Sequence, residues 1–295
     1  MLESNEICAI IVTYHPDTLV KERLSAISKQ VNKIIIVDNT ANESTTEMLQ
    51  VLCQNQLVEL ILNAGNLGIA KALNIGVTKA RQYNYKWALL FDQDSKAEND
   101  LVTNLCTIYS THPDAKQIAL IGANYKNTLK DEKKPTLIAS TPEWREVKRV
   151  ITSGSLLSLD TYEKIGPFRE DFFIDLVDIE YCMRARKYGY KIIKSSKLLM
   201  THSIGFPSKH MLFGKTVWTT NHTAIRRYYY ARNYVAIQRE YGNYLFSWWV
   251  IKSLKKCIRV SSTIIFFEKD KLAKLSAIAK GWWHGVTKRM GKYKP

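Results

Sequence analysis

Asp92-Gln93-Asp94 closes a run of apolar residues, Trp87-Ala-Leu-Leu-Phe91. Such a run reads as a buried strand, and the strand ends of an open α/β sheet are where ligand groups collect. Two carboxylates one residue apart point to the same side of an extended chain. Together they could hold a hard divalent cation and, through it, the phosphates of a nucleotide. The same pair also starts ordinary loops and caps helices. Its meaning therefore depends on the elements around it.

Those elements alternate. Ile7–Thr13 reads as a buried strand that stops at Tyr14-His15-Pro16, where proline blocks continuation. Helical spacing follows over 18–30, then a second strand, Lys33 to Asp38-Asn39. Residues 43–55 predict a helix, Leu57–Leu62 a third strand, Asn63 to Gly68 a Gly/Asn-rich loop, and 69–82 a helix. Trp87–Phe91 is the fourth strand. This alternation predicts an α/β fold with a mainly parallel sheet flanked by helices. Thr13-Tyr14, Asp38-Asn39 and Asp92-Asp94 then share its carboxyl edge. Neither a GxGxxG fingerprint nor a GxxxxGK[ST] loop is present, which argues against dinucleotide and P-loop folds.

Further on, 97–110 predicts a helix and Ile118–Ala123 a strand. The polar stretch 125–148 reads as a mobile excursion, and Val150–Ser158 returns to a strand. A short turn or helix is expected over Tyr162–Gly166. From Asp178 the spacing suits a helix with that carboxylate near its N-terminus. Lys191–Leu199 is strand-like and leads to His202, and the basic, aromatic Arg226–Asn233 opens helical sequence to about 239.

The chain has 295 residues and a net charge of +16, with 46% hydrophobic residues, so it can bury a core. Residues 201–295 hold 18 Lys/Arg against three acids, net +15, while residues 1–200 are nearly balanced. So strong a basic region seeks an anionic partner: nucleic acid, lipid headgroups or a phosphorylated substrate. Lys252, Lys255, Lys256 and Arg259 form an i, i+3, i+4, i+7 stripe in an apolar-rich stretch, predicting an amphipathic basic helix. Near the C-terminus, Trp282 and Trp283 again sit beside cations. Five scattered cysteines suggest reduced, cytosolic thiols, and no signal peptide or transmembrane run is expected.

The order and spacing of Thr13-Tyr14-His15-Pro16, Val37-Asp38-Asn39, Asn66-Leu-Gly68, Asp92-Gln-Asp94, Thr152-Ser-Gly-Ser155, Phe173 to Glu180 and His202-Ser-Ile-Gly205 resemble inverting family-2 glycosyltransferases of the GT-A fold, with bacterial rhamnosyltransferases the most similar subgroup. The resemblance implies a GT-A domain over 1–235 and a basic, amphipathic helical region over 236–295. It implies transfer of a deoxyhexose, L-rhamnose from dTDP-rhamnose, onto a lipid-linked glycan in O-antigen or capsule synthesis. It also implies a protein that is peripheral on the cytoplasmic face of the bacterial plasma membrane and binds its anionic surface.

Residue by residue, the resemblance gives Asp38 the nucleobase and brings Thr13, Tyr14 and His15 to the same nucleotide. Asn66 and Asp92 would lie near the ribose, phosphates or sugar, and Asp94 with His202 would ligate Mg²⁺ or Mn²⁺. Asp178 becomes the general base, with Ser153, Gly154, Asp175 and Glu180 toward the acceptor. Many relatives carry Glu-Asp where this chain has Val177-Asp178, which leaves one acid at that step. Asp175 and Glu180 rival it, although Glu180 falls about 200° around a helix from Asp178. Arg226 and Arg232 are candidates for the diphosphate, with a solvated helix face as the plainer reading. His112, His210 and His284 read as surface or packed residues, Tyr228-Tyr229-Tyr230 as core packing and Cys182 as core filler.

Two alternatives remain open at this stage. One is a galactofuranosyl- or hexosaminyl-transferase using a UDP-sugar. The other is a nucleic-acid-binding protein, against which stand the confinement of cations to one end and the absence of any RRM, HTH or zinc-finger pattern.

Overall fold

A computed structural model describes residues 2–53, 56–127, 142–202, 208–212, 215–242 and 258–294. The chain divides into two compact units, residues 1–170 with 177–203, and residues 171–176 with 204–295.

The first unit is built on a nine-stranded sheet. Strands β1 (Ile7–Thr13), β2 (Ile34–Asp38), β3 (Val58–Leu62) and β4 (Trp87–Asp92) lie in the order β3-β2-β1-β4 and pair in parallel. Every residue of β1 and β2 is buried, as expected of strands with helices on both faces. Helices α1 (Val20–Ser28), α2 (Glu43–Leu52) and α3 (Ile69–Gln82) make the connections. Asn42 caps α2 by accepting from the Thr45 amide at 3.2 Å. The register aligns Thr13 with Asp38 and Val12 with Asp92, so the chemistry-bearing ends of three strands meet at one edge.

Beyond β4 the sheet becomes mixed. The described strands are β5 (Ser95–Ala97), β6 (Ile118–Asn127), β7 (Trp144–Glu146), β8 (Ser155–Ser158) and β9 (Lys191–His202), with α4 (Leu101–Thr111), α5 (Leu159–Ile165) and α6 (Val177–Lys187) between them. β8 runs antiparallel to β4 and β6, β9 runs parallel to β6, and β5 and β7 run antiparallel to β9. Most of the stretch expected to be a mobile excursion lies outside the described residues, and its far end is β7. A core of Ile7, Ile11, Ile34, Leu89, Phe91, Leu105, Ile121 and Ile193, among others, fills this unit.

The second unit contains a hairpin of β10 (Ser208–Leu212) and β11 (Lys215–Thr219), helix α7 (Ala224–Tyr241), a helical segment over 258–267 (α8) and α9 (Lys271–Val286). The units divide near residue 203 and not near 235, because α7 is one continuous helix whose partner is α9. Lys252, Lys255 and Lys256 of the expected basic stripe lie outside the described residues. Among the described residues no helix is long and apolar enough to cross a membrane. Cys8, Cys53, Cys106 and Cys182 are free thiols.

Candidate active site

The two carboxylates converge through a turn and not through strand pleating. Asp92 ends β4, the chain turns over Gln93-Asp94, and it returns as β5, where Ser95 pairs with His202 at the end of β9. One ligand atom from each of Asp92, Asp94 and His202 lies within 4.8 Å of the others. His202 Nδ1 is 3.5 Å from Asp94 Oδ1 and 2.7 Å from Ser95 Oγ. The Ser153 hydroxyl donates to Ser95 Oγ at 2.7 Å and accepts the Asp92 amide at 3.2 Å. A chain of two hydroxyls thus runs from the Asp92 backbone to the imidazole. Burial disfavours the charged His202 ring, but the bond to Asp94 and the charges of Asp94 and Asp92 outweigh it and raise its pKa. Two carboxylates and an imidazole at this separation fit a hard to borderline divalent cation such as Mg²⁺ or Mn²⁺.

Thr13 and Asp38 lie beside this group on the same edge, and both are buried, Asp38 to 1% exposure. The Asp38 carboxylate accepts from Thr13 Oγ1 at 2.7 Å, the Thr40 amide at 2.9 Å and Thr40 Oγ1 at 2.8 Å. Tyr14 and His15 are exposed. His15 takes a positive φ of 48° while its amide donates to Thr40 Oγ1 at 2.9 Å. Asn66 is half-buried and accepts from the Gly68 amide at 2.9 Å, shaping the turn into α3, where Gly68 has a φ of 87°.

Several supports escaped the sequence reading. Gln93, the residue between the two aspartates, accepts the Tyr14 amide at 2.7 Å and donates to the Tyr14 carbonyl at 3.0 Å. Arg23 donates to the Gln93 carbonyl at 2.8 Å and pairs with Asp17 at 2.7 Å. The Tyr14 turn and the carboxylate turn are therefore one hydrogen-bonded assembly. Asn39 organises the neighbouring loop, donating to the Gly68 carbonyl and accepting from Asn63. The only sequence signal for these was position: Gln93 between two candidate ligands, Asn39 beside Asp38.

The three acids around α6 have different surroundings. Asp178 occupies the first turn, half-buried, with Oδ1 accepting the Ile179 amide at 2.8 Å. Glu180 is corrected: it is 0% exposed, and its oxygens each accept from Arg184, at 3.0 Å from Nε and from Nη2. Arg184 also donates to the carbonyls of Ile165 and Pro167, so Glu180 anchors a frame and does not face an acceptor. An i, i+4 Glu–Arg pair was the signal that could have shown this. Asp175 belongs to the second unit, where Arg226 Nη2 donates to its Oδ1 at 2.8 Å. Ser153 and Gly154 are buried. Gly154 places its amide on the Leu90 carbonyl and its own carbonyl on the Ala123 amide.

Arg232 is corrected in the same way. It is 0% exposed and donates to the carbonyls of Asp171, Phe172 and Gly291 and to Asn233 Oδ1. Asn233 in turn donates to the carbonyls of Phe172, Ile174 and Asp175. Together they clamp a segment in which Phe173, Asp175 and Leu176 all have positive φ. The Arg232 guanidinium, buried and bonded to three backbone carbonyls and the Asn233 side chain, is committed to the frame. Tyr228 and Tyr229 pack under it as expected, with the Tyr229 ring centroid 4.9 Å from the guanidinium. His222 is half-buried, and burial together with Arg226 pushes its pKa down to about 4. His284 is packed against Tyr228, whose hydroxyl lies 2.7 Å from its Nδ1.

The profile of the family described as Glycosyl transferase family 2 matches residues 8–164. The chain is 30% identical over 249 residues to the dTDP-rhamnosyl transferase RfbF of Shigella flexneri, covering 80% of this chain and 81% of that protein. It is 24% identical over 208 residues to the low-salt glycan biosynthesis hexosyltransferase Agl10 of Haloferax volcanii, 64% of each chain. In fold it is similar to S. aureus TarS 1-349, with a TM-score of 0.53 at 12% identity over 96% of this chain and 72% of that one. It is likewise similar to GalNAc-T7 crystallised with UDP, GalNAc and Mn²⁺, with a TM-score of 0.58 at 12% identity over 95% and 56%.

Proposed function

The chain belongs to glycosyl transferase family 2 and is a glycosyltransferase of the GT-A fold, and from that premise we propose that it moves L-rhamnose from dTDP-rhamnose, with inversion, onto a lipid-linked glycan of a bacterial surface polysaccharide. The observation that carries the reading is the meeting of Asp92, Asp94 and His202 beside Thr13 and Asp38 at one sheet edge, in a chain similar over most of its length to a dTDP-rhamnosyl transferase.

In this reading the Thr13–His15 turn and Asp38 hold the nucleoside, with Asn66 near its ribose and phosphates. Asp94 and His202, with Asp92 beside them, would hold Mg²⁺ or Mn²⁺, which would supply positive charge to neutralise that developing on the diphosphate leaving group. Gln93 keeps the nucleoside turn and the diphosphate end in fixed register. Ser95 and Ser153 orient His202 and act as positioning residues. Asp178 takes the proton of the acceptor hydroxyl as its oxygen bonds to the anomeric carbon. The bond from that carbon to the diphosphate breaks on the opposite face, releasing dTDP with the electron pair. The acceptor is reached at the anionic inner surface of the plasma membrane, for which the basic last third of the chain is suited.

Product formation with dTDP-rhamnose, UDP-galactose, UDP-N-acetylglucosamine and UDP-galactofuranose, each with and without Mn²⁺, tests this. Turnover of dTDP-rhamnose alone, dependent on metal and lost in Asp94→Ala, is expected. Turnover of a UDP-sugar in its place contradicts the donor assignment.

A further inference from the structure

Two glycines fix which way α9 faces. A Cβ on Gly281 would lie 2.3 Å from the Tyr228 carbonyl oxygen, and one on Gly285 would lie 2.6 Å from Val235 Cβ. Only glycine allows so close an approach to α7. Arg239 donates to the Gly285 carbonyl at 2.8 Å on the same side. The opposite side carries Leu272, Ala279, Trp283 and Val286, at steps of seven, four and three residues, which is one helical stripe. All four are exposed, Leu272 to 85%, Trp283 to 55% and Val286 to 44%, and Trp282 beside them to 56%.

Indoles with more than half their surface in water, on a helix whose opposite side packs closely on α7 through Gly281 and Gly285, mark a surface made for contact. Charge narrows the choice of partner. Residues 258–294 hold nine Lys/Arg against two acids, net +7, and one of those acids, Glu268, is buried between Arg227 and Lys274. Lys271, Lys280, Lys288 and Arg289 are exposed around the stripe. A second copy of the chain would bring this positive surface against itself. An apolar stripe with tryptophans and a cationic rim suits a headgroup layer, where indoles settle and lysines meet phosphates.

We propose that this face of α9 docks the enzyme on an anionic lipid bilayer, with Trp282 and Trp283 at headgroup depth. The proposal deepens, and rests on, the reading of a lipid-linked acceptor. The full chain is floated with vesicles of phosphatidylcholine alone and of phosphatidylcholine with phosphatidylglycerol, and donor-induced thermal stabilisation is measured on the same samples. Co-flotation with the anionic vesicles, reversed by salt and weakened roughly tenfold or more in Trp282→Ala/Trp283→Ala and in Lys280→Glu/Lys288→Glu, is the expected result. Equal flotation of wild type and both variants would overturn the proposal, as would absence of flotation. So would a wild-type dimer that the tryptophan variant converts to monomer, because the face would then belong to a second copy. A normal donor response without lipid binding defeats this proposal alone. Lipid binding without any response to dTDP-rhamnose defeats the donor assignment and leaves the surface standing.

Discussion

The carboxyl edge of the first unit and the clamp of the second use similar polar residues to opposite ends. At the edge, Asp92 and Asp94 are held through backbone, by the Ser153 hydroxyl on the Asp92 amide and by Gln93 on the Tyr14 turn. Asp94 thereby remains exposed, beside an imidazole. In the clamp, Arg232 and Asn233 direct their own side chains onto backbone carbonyls. Charge in a motif therefore says little by itself. At Asp94 small neighbours position a carboxylate without consuming it, whereas at Arg232 backbone carbonyls take most of the guanidinium's donors.

This contrast can be broken from the clamp side most forcefully. Arg232→Met removes the guanidinium from the carbonyls of Asp171, Phe172 and Gly291 in a buried setting, leaving Asp171 the Gly291 amide and Phe172 the Asn233 side chain and the Ile174 amide. It is expected to lower stability by about 3 kcal/mol, seen as a fall in the thermal midpoint. An unchanged midpoint with weakened nucleotide binding would return Arg232 to the diphosphate.

His222 gives a smaller effect with a defined pH window. Its pKa is about 4 in the folded protein and near the ordinary histidine value of 6.5 when unfolded, so the unfolded chain binds more protons between those limits. The stabilisation is complete above about pH 6.5 and is lost as pH falls toward 4. Allowing for partial solvent contact, it amounts to on the order of 1–3 kcal/mol. Thermal midpoints across this range should fall less steeply for His222→Gln than for wild type, and parallel curves would refute the assignment.

Gln93→Ala sharpens the contrast from the active-site side. Loss of its two bonds to Tyr14 should raise the donor KM by about tenfold, equivalent to about 1.4 kcal/mol, with the thermal midpoint nearly unchanged. A large fall in stability with no change in KM would make Gln93 another frame residue.

What the sequence disclosed follows the physics of each element. β1, β2 and β4 were legible because strands covered on both faces become unbroken apolar runs. β5 and β7, of three residues each, were not, since so short a polar segment has no period to read. That mattered for the site, because β5 pairing with β9 is what carries His202 to Asp94 across 108 positions of sequence. Family resemblance pointed to His202, whereas local pattern had no means to. The fate of Arg232 was hidden for a related reason, since partners such as Phe172 present backbone carbonyls that no residue type advertises, whereas Glu180 had its Arg184 partner one turn along the helix. Gly281 and Gly285, spaced by four, were a readable sign of close helix packing, and the exposed tryptophans follow from that packing.

The proposed base offers the most direct test of the mechanism. Steady-state transfer is measured for wild type and Asp178→Asn, with donor affinity determined by calorimetry on the same preparations. The account predicts a fall in kcat of roughly 10²–10⁴-fold while metal-dependent donor binding persists, because only the proton acceptor has been removed. Transfer within a few-fold of wild type would contradict it and move the base away from the first turn of α6.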